Sequence, residues 1–187
     1  SELESNDWAE GMARLRDAGK IRFAGVAVAL GAQAGPANGV WLIEEGLVDV
    51  LQVTYNLFQR DIEAELLPLA RDRGIGTLVR MPMARGVLTG KFAGRESVPE
   101  GFRAAMDGEQ ADQRVGQAER LRPIAAAWGV DLVGMALRFC LQHPAVSCVI
   151  PGARTMEQLE ENVAAATGLP LPAELVAQVR RPLDQAG

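Results

Sequence analysis

Histidine is almost absent from this sequence: His143 is the only one, so a histidine-based metal cluster is excluded. Cys140 and Cys148 are the only cysteines, too few for a disulfide scaffold. Both sit in apolar runs, so buried free thiols in a cytoplasmic protein are expected. Lysine occurs only at positions 20 and 91, and tyrosine only at 55. No apolar run approaches the roughly 18 residues that a membrane-spanning helix needs, so no membrane partner is expected. A basic surplus is missing too. The net charge is −5 with a pI near 5.0, which argues against nucleic acid as the main partner. The opening residues Ser1 to Asp7 are polar and acidic, unlike a secretory signal. Without an initiating Met they read as the interior of a longer protein.

What is present is ordinary globular material. Of 187 residues, 48% are hydrophobic and 23% charged, enough to build a core. Helix-period and strand-like segments alternate. Helices are expected over residues 8–18, 38–45, 61–73, 112–128, 131–142, 156–166 and 173–183. Strands are expected over 21–28, 48–53, 75–80 and 146–150. Asp61, Asp131 and Thr155 are the expected caps, with Gln158 completing a capping box with Thr155. Residues 92–107 read as a long irregular excursion. Alternation of this kind predicts an α/β fold with a parallel sheet of about four strands and covering helices. Ligands then gather at the C-terminal strand ends.

Three segments at those ends attract attention. Ile150-Pro151-Gly152-Ala153-Arg154-Thr155 runs from a strand straight into a helix, whose first amides and dipole favour an anion. Gly152 allows close approach, and Arg154 is a planar cation suited to phosphate. Gln158, Glu161 and Asn162 share one side of that helix. The segment is either a nucleotide site or an ordinary capped helix with solvated polar residues. The loop from Pro82 to Lys91 is rich in small residues and ends in a lysine, but it departs from the phosphate-loop pattern. Gln52 places an amide inside an apolar strand, where it needs a partner, from either a ligand or a neighbouring loop. Tyr55 is expected to pack, His143 to serve a helix C-terminus, and Asp61, Glu63 and Glu65 to favour a helix start.

Gly19 to Val26, Leu51 to Phe58, Pro82 to Lys91, and Ala136 to Asn162 follow one another in an order that resembles the C-terminal half of aldo/keto reductases. The resemblance covers about residues 8–167. It implies a (β/α)8 barrel that binds NADP(H) without a Rossmann domain and interconverts carbonyls and alcohols. By this resemblance Gln52 would contact the nicotinamide carboxamide. Arg80 would stand where many members place an aromatic ring against the nicotinamide. Pro82, Met83, Ala84 and Gly86 would line the pyrophosphate, with Lys91 nearby. Arg103 would reach the adenosine part. Gly152, Arg154, Gln158, Glu161 and Asn162 would hold the adenosine 2′-phosphate and adenine. Ala27 and Val28 depart from the family's usual Ser-Asn or Ser-Arg, and Arg80-Met81 from its Tyr-Ser or Trp-Ser.

Length is the larger departure. A barrel of this type needs about 250 residues, and the family's catalytic Asp, Tyr, Lys and His lie in an N-terminal half that nothing here resembles. The expectation is therefore that residues 1–187 form a C-terminal half-barrel, inactive alone. It would be either a piece of a longer reductase or a natural half that pairs with a second copy or a complementary chain. The alternative is a non-catalytic nucleotide-binding or subunit-pairing protein.

Overall fold

Helix-period segments separate short runs of Val, Leu and Thr, and the chain turns this pattern into β/α units. A computed structural model describes residues 7–28, 35–101, 108–168 and 170–184. In chain order the elements are α1 (Asp7–Asp17), β1 (Gly25–Ala27), α2 (Gly35–Glu44), β2 (Val50–Thr54), α3 (Leu66–Asp72) and β3 (Gly76–Arg80). There follow α4 (Gly108–Ala127), α5 (Leu132–Leu141), β4 (Cys148–Ile150), α6 (Met156–Thr167) and α7 (Ala173–Asp184). All strands are parallel, in the order β1-β2-β3-β4. The register places Thr54 beside Arg80 and Arg80 beside Ile150.

Side chains alternate between the two faces of a strand, and here the faces differ. Leu51, Val53 and Val79 are buried in one core with Leu42, Leu66, Leu67 and Leu88. The opposite face carries Gln52, Leu78, Arg80, Cys148 and Ile150. It is more open, with Ile150 45% exposed. Cys148 is exposed, not buried as expected, because it lies on this face of an edge strand. Cys140 is buried, and its Sγ lies 3.5 Å from the Tyr55 carbonyl. Among the described residues no single helix is long and apolar enough to cross a membrane.

The expected caps at Asp131 and Thr155 are present. Asp131 Oδ1 accepts from the Gly134 amide at 2.5 Å, and Thr155 Oγ1 from the Gln158 amide at 3.2 Å. The helix expected over 61–73 is broken. A 3-10 turn spans Asp61–Glu63, and α3 starts afresh at Leu66 without a side-chain cap. Pro68 supplies the reason: inside a continuous helix its ring would strike the Ala64 carbonyl, whereas the first turn tolerates it. Residues 102–107 of the expected excursion lie outside the described residues, and Arg95–Ser97 forms a 3-10 turn.

Candidate functional site

The C-terminal ends of β3 and β4 open into a cleft of about 930 Å³. Three segments wall it. Arg80 to Met83, Arg85 and Gly86, with Thr89 and Lys91, run on from the end of β3. Ile150 to Arg154 continues β4. Gln158, Glu161 and Asn162 come from α6, and Val133 of α5 adds an apolar patch. The wall therefore carries Arg80, Arg85, Lys91 and Arg154 against the single carboxylate of Glu161. A chain with a net charge of −5 concentrates cations at this one place, which suits a polyanion.

Each segment is shaped by its backbone. Met81, Ala84 and Arg85 hold φ values of 55°, 47° and 58°, and Gly86 one of 94°. Left-handed backbone at non-glycine residues is uncommon and concentrates at functional sites. At Gly86 an added Cβ would lie 2.9 Å from Lys91 Nζ, so glycine lets the ammonium fold back over its own loop. The Lys91 ammonium also lies 4.8 Å from the Phe92 ring centroid. Gly152 has nothing within 4 Å of a Cβ position, leaving the entry to α6 open to a ligand.

The sequence-predicted residues divide by place. Arg80, Pro82, Met83, Gly86, Lys91, Gly152, Arg154, Gln158, Glu161 and Asn162 come together on the cleft wall. Ala84 does not line it: its methyl is buried in the core, and its amide donates to the Met81 carbonyl at 2.9 Å. Gln52 is half-buried on β2, two residues before Thr54 on the face that carries Arg80. Arg103 lies outside the described residues.

Gln158 and Asn162 also hold backbone. Gln158 Oε1 accepts from the Arg154 amide at 2.8 Å, one residue before the capping-box partner expected from sequence. Asn162 Nδ2 lies 3.4 Å from the Gly152 carbonyl. Together they fix the loop that presents Arg154, which is exposed.

Asn56 is the functional residue that the sequence pattern passed over. It is fully buried, and every polar atom of its side chain is used. Nδ2 donates to the Met81 carbonyl at 3.0 Å and to Gln59 Oε1 at 3.1 Å. Oδ1 accepts from the Phe58 and Gln59 amides at 3.0 and 3.1 Å. It thus ties the segment after β2 to the strained residue that follows Arg80. An asparagine between Tyr55 and Leu57, in an otherwise apolar stretch, was the available signal.

Tyr55 lies away from the wall. Its ring is buried, stacked on Phe139 with centroids 5.5 Å apart, and its hydroxyl donates to Glu63 Oε1 at 2.5 Å. Burial, then the Glu63 hydrogen bond and charge, raises its pKa far above the ordinary phenol value. Glu63 also accepts both Arg180 Nη atoms, at 2.7 and 2.9 Å. It stands in the first turn of the 3-10 helix, as the helix-start reading expected, and Arg180 of α7 also reaches it across the fold. His143 lies just past the end of α5, as expected, and its Nδ1 accepts from the Ala145 amide at 3.3 Å, a role for neutral imidazole. Burial accordingly lowers its pKa.

The sequence profile of the Aldo/keto reductase family matches residues 3–183. A probable voltage-gated potassium channel subunit beta of Oryza sativa is 38% identical over 130 residues, 65% of this chain and 39% of that protein. An NADH-specific methylglyoxal reductase of Escherichia coli is 34% identical over 155 residues, 81% of this chain and 45% of that protein. The holo structure of aldo-keto reductase AKR11C1 from Bacillus halodurans superimposes with a TM-score of 0.68 at 25% identity, over 96% of this chain and 55% of that one. The glycerol dehydrogenase AKR11B4 of Gluconobacter oxydans gives a TM-score of 0.76 at 24% identity, a likeness of fold, over 95% and 54%. The chain spans about half the length of the relatives it matches. The chain belongs to the aldo/keto reductase family of oxidoreductases, and its four parallel strands with covering helices are part of a (β/α)8 barrel.

Proposed function

We propose that residues 1–187 are the cofactor-binding half of an NADP(H)-dependent aldo/keto reductase acting in the cytoplasm. Aldo/keto reductases generally use NAD(P)H. The observation that carries the finer reading is the cationic cleft in an acidic chain, with an open glycine approach at the start of a capped helix. Arg154 and the first amides of α6 would hold the 2′-phosphate, a group that wants fixed cations. Glu161, Gln158 and Asn162 flank the adenine side. The Pro82–Lys91 loop would take the pyrophosphate, with Lys91 folded over Gly86. Gln52 has a half-buried amide with no side-chain partner among the described residues, and would orient the carboxamide.

A bound nicotinamide dinucleotide supplies a hydride to a carbonyl carbon, or removes one from an alcohol. The oxygen that gains negative charge needs a proton donor. Tyr55 does not fill that role, because its hydroxyl is committed to Glu63 away from the cleft. We assign the donor to a complementary half-barrel, from the same longer chain or from a partner. That half would also cover the open face of Gln52, Arg80 and Ile150. The placement of Tyr55 equally favours a second reading, a non-catalytic nucleotide-binding half that pairs with another subunit.

Calorimetric or fluorescence titration of the 187-residue chain tests the proposal. NADPH is expected to bind at micromolar Kd, and Arg154→Ala to weaken it about tenfold, or ~1.4 kcal/mol. Equal affinities for NADPH and NADH would remove the NADP preference. A folded chain that binds neither would remove the cofactor reading.

A further inference from the structure

We infer that Arg80 makes the cleft discriminate between the redox forms of its cofactor, holding the reduced form more tightly. The inference rests on the cofactor reading above and deepens it.

Arg80 is held by neutral oxygens, as Arg122 and Arg138 are, but it stands on the cleft wall. Arg16, Arg60, Arg71 and Arg180 each pair with a carboxylate, respectively Asp49, Asp184, Asp72 and Glu63. Arg80 pairs with none among the described residues, although it is half-buried. Neutral oxygens hold it instead. Its Nε donates to Thr54 Oγ1 at 3.2 Å and an Nη to the Val28 carbonyl at 3.2 Å. Both anchors are buried, Thr54 at 5% and Val28 at 9% exposure. They fix the plane of the guanidinium without neutralising it, and three of its five N–H groups have no partner among the described residues. A fixed, partly desolvated charge acts more strongly on its surroundings than a solvated one.

The polarity of the cleft decides which end of a dinucleotide meets this charge. Its outer end has the start of α6, Arg154 and the open approach at Gly152. Its inner end is formed by the strand termini, Arg80 and the apolar Ile150. The anionic end of the ligand belongs with the first set, and the reacting ring with the second. The two redox forms carry the same phosphates and differ by one positive charge on the nicotinamide ring. A fixed cation at the ring end therefore acts on the difference between them. Arg85, Lys91 and Arg154 act mainly on what the two forms share.

A purely structural Arg80, strapping β1 and β2 to β3, would predict something else. Its loss would weaken both forms equally, or simply lower stability. The ratio of affinities separates the two ideas without any catalytic turnover.

Kd values for NADPH and NADP⁺ should be measured at low salt on the wild type, Arg80→Lys, Arg80→Gln, Arg80→Met and Arg154→Ala. Far-ultraviolet circular dichroism would verify folding. The wild type is expected to favour NADPH about tenfold. Arg80→Lys keeps most of that ratio, and Arg80→Gln and Arg80→Met bring it several-fold toward unity. Arg154→Ala weakens both forms with the ratio nearly unchanged. Should Arg80→Met fail to fold, Arg80→Gln, which can still reach Thr54, decides the matter. A ratio unchanged in the uncharged variants overturns the inference and leaves the cofactor reading standing. Absence of binding of either form to the folded wild type overturns both.

Discussion

Replacing Asn56 by alanine should loosen the cleft from beneath, and the size of the effect can be worked out bond by bond. The side chain makes four hydrogen bonds, two as donor and two as acceptor. Their loss is unequal in consequence. The Gln59 amide also reaches the Asn56 carbonyl at 3.1 Å, and the Met81 carbonyl keeps the Ala84 amide at 2.9 Å. The Phe58 amide has no second partner among the described residues. Orphaning a buried donor costs about 1–3 kcal/mol, and each replaceable bond about 0.5–1.5 kcal/mol less the compensation that remains. A total near ~3 kcal/mol follows, which for a chain of this size lowers Tm by about 6–12 °C. Because Met81 is held at a φ of 55° beside Arg80, its release should also weaken NADPH binding several-fold. Urea unfolding gives the first quantity and fluorescence titration the second. Asn56→Asp keeps both acceptor bonds but turns a negative oxygen toward the Met81 carbonyl and Gln59 Oε1. It should be at least as destabilising at neutral pH. An alanine variant within about 0.5 kcal/mol of wild type, with unchanged binding, would refute the reasoning.

Two further perturbations test the packing behind the cleft. Glu63→Gln removes the charge that holds both Arg180 Nη atoms and the Tyr55 hydroxyl, and should cost about 1–3 kcal/mol. Arg180→Met should cost a similar amount, and the double variant less than the sum by ~1 kcal/mol or more; strict additivity would dissolve the proposed clamp on α7. The second perturbation is pH. Burial first, and then the Glu63 charge, pushes the Cys140 thiol up from 9.0 to about 12. The unfolded chain therefore loses this proton before the folded one does. Its contribution to stability is complete below about pH 9 and disappears as pH rises toward 12. The urea midpoint should fall between pH 8 and pH 10.5, and Cys140→Ala should flatten that fall; equal slopes would show that the thiol is not responsible.

Local chemistry made much of this fold legible. The alternation of helix and strand, the caps at Asp131 and Thr155 and the approach to α6 depend on neighbours within a few residues, so their signals survive in the linear sequence. The misjudged positions depend on distant partners. Glu63 read only as a helix-start acid because Arg180 is 117 residues away. Cys148 read as buried because an apolar run does not say which face of an edge strand a residue takes. The break before α3 was readable in principle from Pro68, but the apolar period on both sides of it outweighed one proline. Asn56 escaped notice because its partners, Met81 above all, are fixed only by strand pairing.

The cleft also shows why polar residues that a sequence pattern groups together separate into two roles. Asn56, Gln158 and Asn162 spend their side chains on backbone atoms of the cleft segments. Arg80 and Arg154 are left without anionic partners among the described residues. The first set keeps the second in place, as a preorganised site requires. This arrangement carries a cost. Three non-glycine residues hold left-handed backbone, at about 1–3 kcal/mol each, and like charges crowd one wall. Even Arg114, on α4 outside the wall, has its pKa lowered, by burial first and then by the charge of Arg85. A polyanion bound across Arg80, Lys91 and Arg154 would reverse the electrostatic part of that cost and leave the backbone strain unchanged. Binding should therefore stabilise the fold most at low ionic strength, where charge repulsion is least screened. A ligand held only by shape would show no such dependence.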